Sequence, residues 1–346
     1  MLVQRSIAIL ILILGLFVQI VVREPKPVPA HPNRMFVAEQ AIPDPARVAA
    51  HLGPLRLEKA WQISGPEIGG YSSLLPTTRD SFLTLTDDGR WLAFRMNGGR
   101  AWNHAKGRVH FRLNSPDKEY NDVESAVRDP RTGTIWLGME GVNAISRTNS
   151  RLHENARVEP KAMVGWGFNS GPESLIRLRD GRFVTIQETP RGRFYGDTHD
   201  AVIFAGDPIT HPEPETFRFK GPPNFSVVDM AALPDGRILI LMRRFVWPFP
   251  MHFAGRIAIA DPAAIRAGGL WEAQDIAALS SDLPVDNFEG IAVTPSERGG
   301  ERGGEQGRVN VWIISDDNFM HTQQRTLLWK MSVDPAQLPW PGRAKH

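Results

Sequence analysis

The fold is decided by a stretch near the C-terminal end of the chain, DNFEGIAV at residues 286–293, and by its partner VWIISDDNF at residues 311–319. Both are apolar runs that carry carboxylates and amides at one end. A carboxylate costs free energy to bury unless it is paired, hydrogen-bonded or bound to a metal. The two stretches therefore predict neighbouring strands that hold a polar site on a rigid scaffold.

Weaker copies of the first stretch recur along the chain, and each begins with an acidic or small polar residue. They are SSLL at 72–75, ESAV at 124–127, ESLI at 173–176, DMAA at 229–232 and EGIA at 289–292. A turn and two further short strands follow each copy, and fourth strands are predicted at 108–113, 158–164, 215–220 and 274–277. This pattern indicates a repeated four-stranded sheet.

The last unit has no fourth strand of its own, because the residues after 331 are rich in proline. A spare strand at 55–64 completes it, and the units then close into a ring. The sequence therefore predicts an all-β fold, a β-propeller of four-stranded blades closed by an N-terminal strand. Five blades are favoured, with six as the alternative if one long unit contains another sheet. Closure by strands from both ends of the domain also removes open sheet edges.

The composition is that of a globular chain, since 42% of its 346 residues are hydrophobic and 23% are charged. A formal net charge of +2 is too small to indicate nucleic-acid binding, and a monomer is expected. The chain has no cysteine, which excludes disulfides, thiol nucleophiles and Cys-ligated metal sites. It also lacks the Gly-x-Ser-x-Gly, His-Glu-x-x-His and phosphate-loop motifs.

The N-terminus has the layout of an export signal. Arg5 precedes an uncharged, nearly all-aliphatic run at residues 6–22, which predicts a signal peptide or membrane anchor over residues 1–22. Residues 23–50 are interpreted as a Pro-rich spacer, and the propeller domain is predicted to occupy residues 51–346. The folded part is expected outside the cytoplasm, periplasmic or secreted, or anchored to the inner membrane through residues 6–22.

In a propeller the first strands line the central channel, so their starts converge at one mouth. The residues at these starts are Ser72, Glu124, Glu173, Asp229 and Glu289. Facing carboxylates repel one another, and three arrangements relieve the repulsion. In one, a divalent cation, with Ca²⁺ favoured, is bound by Glu124, Glu173, Asp229 and Glu289. In the second, arginines such as Arg243, Arg244 and Arg325 neutralise the ring. In the third, each acid caps backbone N–H groups of a neighbouring blade.

The ends of the second strands carry a further set of polar groups. They are Asp87-Asp88, Glu140, Glu188, Arg243-Arg244 and Asp316-Asp317-Asn318. These residues lie one hairpin away from the first-strand starts, on either the same face or the opposite one. Adjacent strand residues point to opposite faces, so at most one of Asp316 and Asp317 is expected to face the site.

Several motifs resemble those of a known family. The most specific are DNFEG at 286–290, SDDNF at 315–319 and QRTLL at 324–328, supported by DVES at 122–125, NSGPES at 169–174, DMAALPDGR at 229–237 and GGYSS at 69–73. Over about residues 55–333 the chain resembles the bacterial phytase-like domain family, also called "esterase-like activity of phytase". The resemblance implies an exported β-propeller, similar in architecture to calcium-dependent phytases, that hydrolyses phosphate or other esters. Ser125 and Ser174 depart from it, since the family often has Gly or Ala after the glutamate.

Residue chemistry and this resemblance together predict a metal-assisted hydrolase that acts on a small-molecule anionic ester. The predicted catalytic residues are Asp316, Asp317, Arg243 and Arg325, with the arginines binding anionic oxygens. The predicted substrate-binding residues are Asn287, Asn318, Arg244 and Gln324. Two other functions stay open. One is a non-catalytic envelope propeller that binds a ligand or a protein, and the other is a sugar-lactone hydrolase whose channel metal is bound by Glu, Asn and Asp side chains, with Asn169, Asn287 and Asn318 as candidates.

Overall fold

The computed structural model describes residues 35–97, 99–112, 120–167, 170–192, 196–247, 251–296 and 307–341. The predicted signal or anchor at residues 1–22 and the first part of the predicted spacer lie outside these ranges. Within them, no helix is long and apolar enough to cross a membrane.

Part of the segment predicted as a spacer is folded. Strand β1 (Phe36–Glu39) pairs antiparallel with β2 (Arg56–Ser64), and helix α1 (Pro45–Leu52) lies between them in sequence. The first residue of α1 is a proline, which is favourable there because its missing N–H would have no partner within the helix. Val48 and Leu52 of α1 are buried in the main hydrophobic core. One of the prolines that indicated an extended spacer is therefore a helix start.

Five sheets follow along the chain. Blade 1 contains β3 (Tyr71–Pro76), β4 (Ser81–Thr86), β5 (Arg90–Asn97) and β6 (Arg100–Arg108). Blade 2 contains β7 (Val123–Arg128), β8 (Ile135–Met139), β9 (Ala144–Thr148) and β10 (Glu154–Val158). Blade 3 contains β11 (Ser174–Arg177), β12 (Phe183–Ile186), β13 (Thr198–Phe204) and β14 (Glu215–Lys220).

The fourth sheet, blade 4, contains β15 (Ser226–Ala232), β16 (Ile238–Val246), β17 (His252–Ala260) and β19 (Gln274–Leu279). Between the last two, the short strand β18 (Leu270–Glu272) pairs in parallel with β14 at the outer edge of blade 3. Blade 5 contains β20 (Asn287–Pro295), β21 (Val309–Asp316) and β22 (Thr326–Val333). Short 3₁₀ turns occur at Lys161–Met163, Pro262–Ala264 and Pro335–Gln337.

Strand β2 pairs antiparallel with β22 and completes blade 5, with β1 added as a fifth strand. The innermost strands contact one another in cyclic order, β3 with β7, β7 with β11, β11 with β15, β15 with β20, and β20 with β3. The predicted propeller, its five blades and its closure by the N-terminal strand are therefore confirmed.

Two of the predicted fourth strands are wrong. In blade 1 the strand runs over Arg100–Arg108, because a tight hairpin pairs Asn97 with Arg100 directly after β5. The prediction had placed it at 108–113, where residue 113 lies outside the described ranges. In blade 2 it ends at Val158 and a 3₁₀ turn follows, so that most of the predicted 158–164 is not strand. The strand predicted at 215–220 is confirmed, and the one at 274–277 extends to Leu279.

Neighbouring blades pack through buried aromatic rings. Trp312 of blade 5 meets Phe82 of blade 1 edge-on, with ring centroids 4.9 Å apart. Trp136 of blade 2 meets Phe183 of blade 3 in the same way at 4.8 Å. Such edge-to-face pairs add to the hydrophobic stabilisation of the buried area itself. They therefore contribute to the packing between blades 5 and 1 and between blades 2 and 3.

The seam between blades 5 and 1 requires a glycine at position 290. A Cβ added there would lie 2.9 Å from the backbone of Ser73 and Leu74 in β3. We expect Gly290→Ala to lower the free energy of unfolding by about 1–3 kcal/mol, because overpacking forces the two blades apart. Urea unfolding measures this. Gly165→Ala is the control, since a Cβ at Gly165 meets nothing within 4 Å, and equal stability of the two variants would contradict the proposed contact.

Candidate active site

Bulges in the innermost strands set the direction of the side chains at the channel mouth. The strand register shifts at Ser72, Glu124, Val228 and Glu289, each near the start of its strand. Glu173 directly precedes β11 in blade 3. A bulge leaves one residue out of the ladder, bends the strand and re-aims the side chain. In blade 4 the bulged residue is therefore Val228. Asp229, the acid predicted to lie at the channel mouth, is the next residue along the strand.

That acid, Asp229, is buried in the seam between blades 4 and 5. Its Oδ1 accepts a hydrogen bond from Met230 N at 2.8 Å, and its Oδ2 accepts one from Ile291 N at 2.7 Å. Burial raises the pKa of Asp229, and the two backbone N–H groups oppose that rise. Asp229 therefore caps the neighbouring blade, which is one of the three arrangements that the sequence left open.

The residues in the same register of other blades also make contacts across seams. Ser125 of blade 2 donates through Oγ to the carbonyl of Pro172 at 2.6 Å, and Gly290 of blade 5 abuts blade 1. The serine that departs from the family pattern therefore hydrogen-bonds to the neighbouring blade. The residues that directly follow the bulges therefore make contacts between neighbouring blades. They do not face the channel mouth as the bulged residues do.

The second-strand ends lie on the same face as the first-strand starts. The five residues concerned are Asp87, Glu140, Glu188, Arg243 and Asp316. The backbone N–H groups of the first three donate to carbonyls just before the neighbouring first strand at 3.0 to 3.3 Å. Arg243 and Asp316 pair in register with residues at the starts of β15 and β20. Two sets of residues, one from each strand of every hairpin, thus surround one mouth, and all are charged except Ser72 and Val228.

Carboxylates crowd one side of this mouth in two groups that share a member. Oxygens of Asp122, Glu124 and Glu140 all lie within 4.8 Å of one another, and so do oxygens of Glu140, Glu173 and Glu188. Burial raises the pKa of Glu124, and repulsion from Asp122 and Glu140 raises it further. The pKa of Glu173 is also raised, by burial and by Glu188, although Arg243 opposes the rise. We call these five residues the acidic cluster.

Arg243 lies among three carboxylates of the mouth. Its Nε is 2.8 Å from Oε1 of Glu289, an ion pair in which the N–H is not aligned for a hydrogen bond. Its Nη2 is 3.6 Å from Glu188 and 4.0 Å from Glu173. These charges raise the pKa of Arg243, which opposes the effect of its burial. The Nδ2 of Asn287 donates to the same Glu289 oxygen at 2.7 Å, so Glu289 is held by two side chains.

The hydrogen bonds of Asp317 give this side chain a structural role. Its Oδ1 accepts hydrogen bonds from the backbone N–H groups of Gly70 and Phe319 at 3.3 and 3.0 Å. Its Oδ2 accepts one from the Thr326 hydroxyl at 2.9 Å and lies 3.0 Å from Nδ1 of His321. The side chain therefore fixes the loop after β21 to blade 1.

The neighbouring Asp316 faces the mouth. Burial raises its pKa, and repulsion from Glu289 raises it further, while a hydrogen bond from Asn318 N at 2.7 Å opposes the rise. The expectation that only one of the two adjacent aspartates faces the site therefore agrees with their electrostatic environments.

A groove of about 470 Å³ lies beside the mouth, between the end of β16, the start of β17 and the loop after β21. We call it the mouth groove, and its lining includes Phe245, Phe253, Asp286, Asn318, Gln324 and Arg325. Three of the predicted site residues are thus brought together here, and the amide of Asn318 donates to Gln324 Oε1 at 3.1 Å. Arg244, also predicted to bind substrate, instead stacks on the Phe225 ring at 4.9 Å and does not line the groove.

Asp286 and Arg325 form the charged pair of the mouth groove. Arg325 donates from its backbone N to Oδ2 of Asp286 at 3.0 Å, and its Nε lies 3.7 Å from the same oxygen. Burial raises the pKa of Asp286 to about 6, and two backbone N–H groups and Arg325 oppose the rise. A carboxyl that titrates close to neutral pH is suited to proton transfer.

Sequence reasoning did not include Asp122, Glu140, Glu188 and Asp286 among the site residues. A signal existed for two of them, since Glu140 and Glu188 end their second strands as Asp316 does. Asp122 and Asp286 directly precede first strands; Asp286 opens the polar end of the 286–293 stretch, whereas Asp122 carried no signal beyond its place in a family motif. Asn169, a candidate ligand for a lactonase metal, lies outside the described residues.

Comparison with known proteins gives one family match. A family model described as "Phytase-like: Esterase-like activity of phytase" matches residues 66–319. No curated protein matches the chain. Among solved structures, similar chains include a protein from Lactobacillus plantarum, with 10% identity, coverage of 80% of this chain and 94% of the other, and a TM-score of 0.39. A luciferin-regenerating enzyme has 11% identity, coverage of 81% and 88%, and a TM-score of 0.39. A chain of a nidogen–laminin complex has 9% identity, coverage of 79% and 96%, and a TM-score of 0.38.

The raised pKa values make a prediction about stability and pH. Because the folded state holds the Asp286 proton more tightly than the unfolded chain does, the free energy of unfolding should fall as pH rises from about 4 to about 6, where Asp286 titrates in the fold. Asp286→Asn should flatten this fall, as measured by urea unfolding across the pH range without divalent cations. Asp180→Asn is the control. Arg182 lowers the pKa of Asp180, so removing the Asp180 carboxyl cannot flatten the fall. The other buried carboxyls of the mouth contribute a fall of their own in both proteins, so an equally steep fall in Asp286→Asn and the wild type would contradict the assignment.

Proposed function

Because the chain belongs to the phytase-like family, described by its esterase-like activity, we propose that it is a metal-assisted hydrolase of phosphate or other ester bonds. The proposed site is the acidic cluster together with the mouth groove. The main observation behind the proposed metal site is that the carboxylate of Glu140 belongs to both groups of closely spaced oxygens. Glu140 would therefore be a ligand of a cation held by either group.

The acidic cluster fits a hard divalent cation. Ca²⁺ binds oxygen ligands at about 2.3–2.6 Å, so two ligands of one ion lie at most about 5 Å apart. The spacing of 4.8 Å or less within each group meets this limit. In the proposal Asp122, Glu124 and Glu140 hold one ion, and Glu140, Glu173 and Glu188 form a second position.

Two of the four predicted metal ligands are left out of this proposal. Both oxygens of Asp229 accept backbone hydrogen bonds within the seam, and Glu289 is held by Arg243 and Asn287. Glu124 and Glu173 remain. When bound, a divalent cation supplies Lewis-acid polarisation of an ester oxygen and lowers the pKa of a coordinated water.

The mouth groove supplies Arg325 to position the substrate and Asp286 to accept a proton, and Asp316 outside the groove lining supplies a proton. The half-exposed guanidinium of Arg325 binds the anionic oxygens, for which its planar donor fork is suited. Asp286 accepts a proton from the attacking water, since its pKa lies near 6. Asp316, which keeps its proton to higher pH than an ordinary aspartate, gives a proton to the leaving oxygen. The two acids come from paired strand ends, because Asn287 lies opposite Asp316 in the ladder.

Calcium should stabilise the fold through the acidic cluster. Binding to the native state alone at a hundredfold excess over Kd contributes about 2.7 kcal/mol, so Ca²⁺ should raise the midpoint of thermal unfolding of the wild type. Glu140→Gln should remove most of this rise, because Glu140 belongs to both groups. Asp229→Asn should lower the midpoint equally with and without Ca²⁺. An absent Ca²⁺ response in the wild type would refute the metal site.

Arg325→Lys should keep the Ca²⁺ response and lower kcat/KM for p-nitrophenyl phosphate about tenfold or more, since a charged hydrogen bond contributes about 1.5–3 kcal/mol. Turnover of the neutral ester p-nitrophenyl acetate should change less. Arg182→Lys, on an exposed hairpin, is the matched control. If the wild type hydrolyses neither ester with Ca²⁺ present, the hydrolase proposal fails and a binding function takes its place.

A further inference from the structure

The mouth groove has two walls of different polarity. One wall comes from blade 4, and we call it the blade 4 wall; it consists of Phe245, Met251, His252 and Phe253. The other wall comes from blade 5 and holds most of the polar groups of the groove, which are Asp286, Asn318, Gln323, Gln324 and Arg325. A ligand that fills the groove therefore meets a mainly apolar surface on one side and a mainly polar surface on the other.

The blade 4 wall is built on a pair of aromatic rings. Phe245 of β16 lies opposite Phe253 of β17 in the strand ladder, and their ring centroids are 5.2 Å apart. Phe245 is 48% exposed, and Phe253 is partly buried. Single exposed apolar residues are common on protein surfaces, but here two rings in contact line one cavity. The exposed part of this pair can therefore remove apolar surface of a ligand from water.

Two methionines, one from each wall, extend the apolar surface. Met251 belongs to the blade 4 wall and Met320 to the loop after β21, and both are partly buried. Methionine side chains are flexible and polarisable, so they adapt to ligands of different shape. The groove volume of about 470 Å³ lies within the range of small-molecule sites, which is about 300–1,000 Å³. The groove is thus suited to an apolar group of variable shape.

We propose that the blade 4 wall binds an apolar group of the substrate, so that the ester hydrolysed at the mouth is amphipathic, with an alkyl or aryl body. The inference rests on the proposed hydrolase function, because it places the reacting ester between this wall and the polar groups of blade 5. An apolar body that packs on the rings leaves water and contributes to binding. A substrate that is charged on every side, such as a polyphosphorylated polyol, would instead desolvate charges against the same rings, which costs free energy.

The first test compares kcat/KM within two pairs of esters, hexyl phosphate against methyl phosphate and methyl hexanoate against methyl acetate. Only the length of one alkyl chain differs within a pair. A methylene group removed from water contributes about a factor of four, so the wild type should prefer the longer ester about tenfold or more in the pair that it hydrolyses. Phe245→Ala should lower this preference about threefold or more and leave kcat/KM for the shorter ester unchanged. Phe245→Leu, which keeps an apolar side chain in the groove, should retain most of the preference.

Phe36→Ala is the matched control. Phe36 is also 48% exposed, but it lies on β1 at the outer edge of blade 5 and does not line the groove, so its removal should leave the preference unchanged. A second measurement does not need turnover. In calorimetric titration with hexylphosphonate and methylphosphonate, which have no ester bond, the wild type should bind the hexyl compound about tenfold more tightly, and Phe245→Ala should lose most of that difference.

The outcomes separate this inference from the proposed function. If no ester is hydrolysed, but hexylphosphonate binds more tightly and Phe245→Ala loses the difference, the hydrolase proposal fails and the blade 4 wall is supported as an apolar binding site. If esters are hydrolysed without preference for the longer chain, or Phe245→Ala keeps the same preference as Phe36→Ala, the inference is overturned and the hydrolase proposal stands. Equal binding of the two phosphonates by the wild type overturns the inference as well.

Discussion

The antiparallel pairing of β2 with β22 is the constraint on which the rest of the structure depends. It joins residues near the two ends of the folded domain, Gln62 opposite Leu327 for example, and so closes five separate sheets into a ring. Only in a closed ring do the starts of all innermost strands face one another. The acidic cluster combines residues of blades 2 and 3, and no single blade contains all of it.

Closure forces like charges together in a setting with little water. Burial is the largest cause of the raised pKa of Glu124, Glu173 and Asp316, and mutual repulsion adds to it. Arg243 compensates part of this repulsion through Glu289, Glu188 and Glu173. A metal-free fold therefore stores an electrostatic cost that protons or cations relieve. That cost links the stability of the propeller to the chemistry proposed for its mouth.

The sequence by itself determined the propeller fold and the closing strand and favoured five blades over six, because a pattern of polar strand starts and apolar strands recurs about every fifty residues. It also determined that acids gather at the strand starts. Only the tertiary structure decided which acids meet. In blade 4 the bulged position is Val228, so that Asp229 follows the bulge and enters a seam, and the alternation of polar and apolar residues does not mark which residue is bulged. The second-strand acids Glu140 and Glu188 join the cluster because packing between blades sets the distances across the channel. The local sequence pattern indicates the direction of a strand. The distance between two carboxylates on different blades depends instead on every contact that holds the ring together.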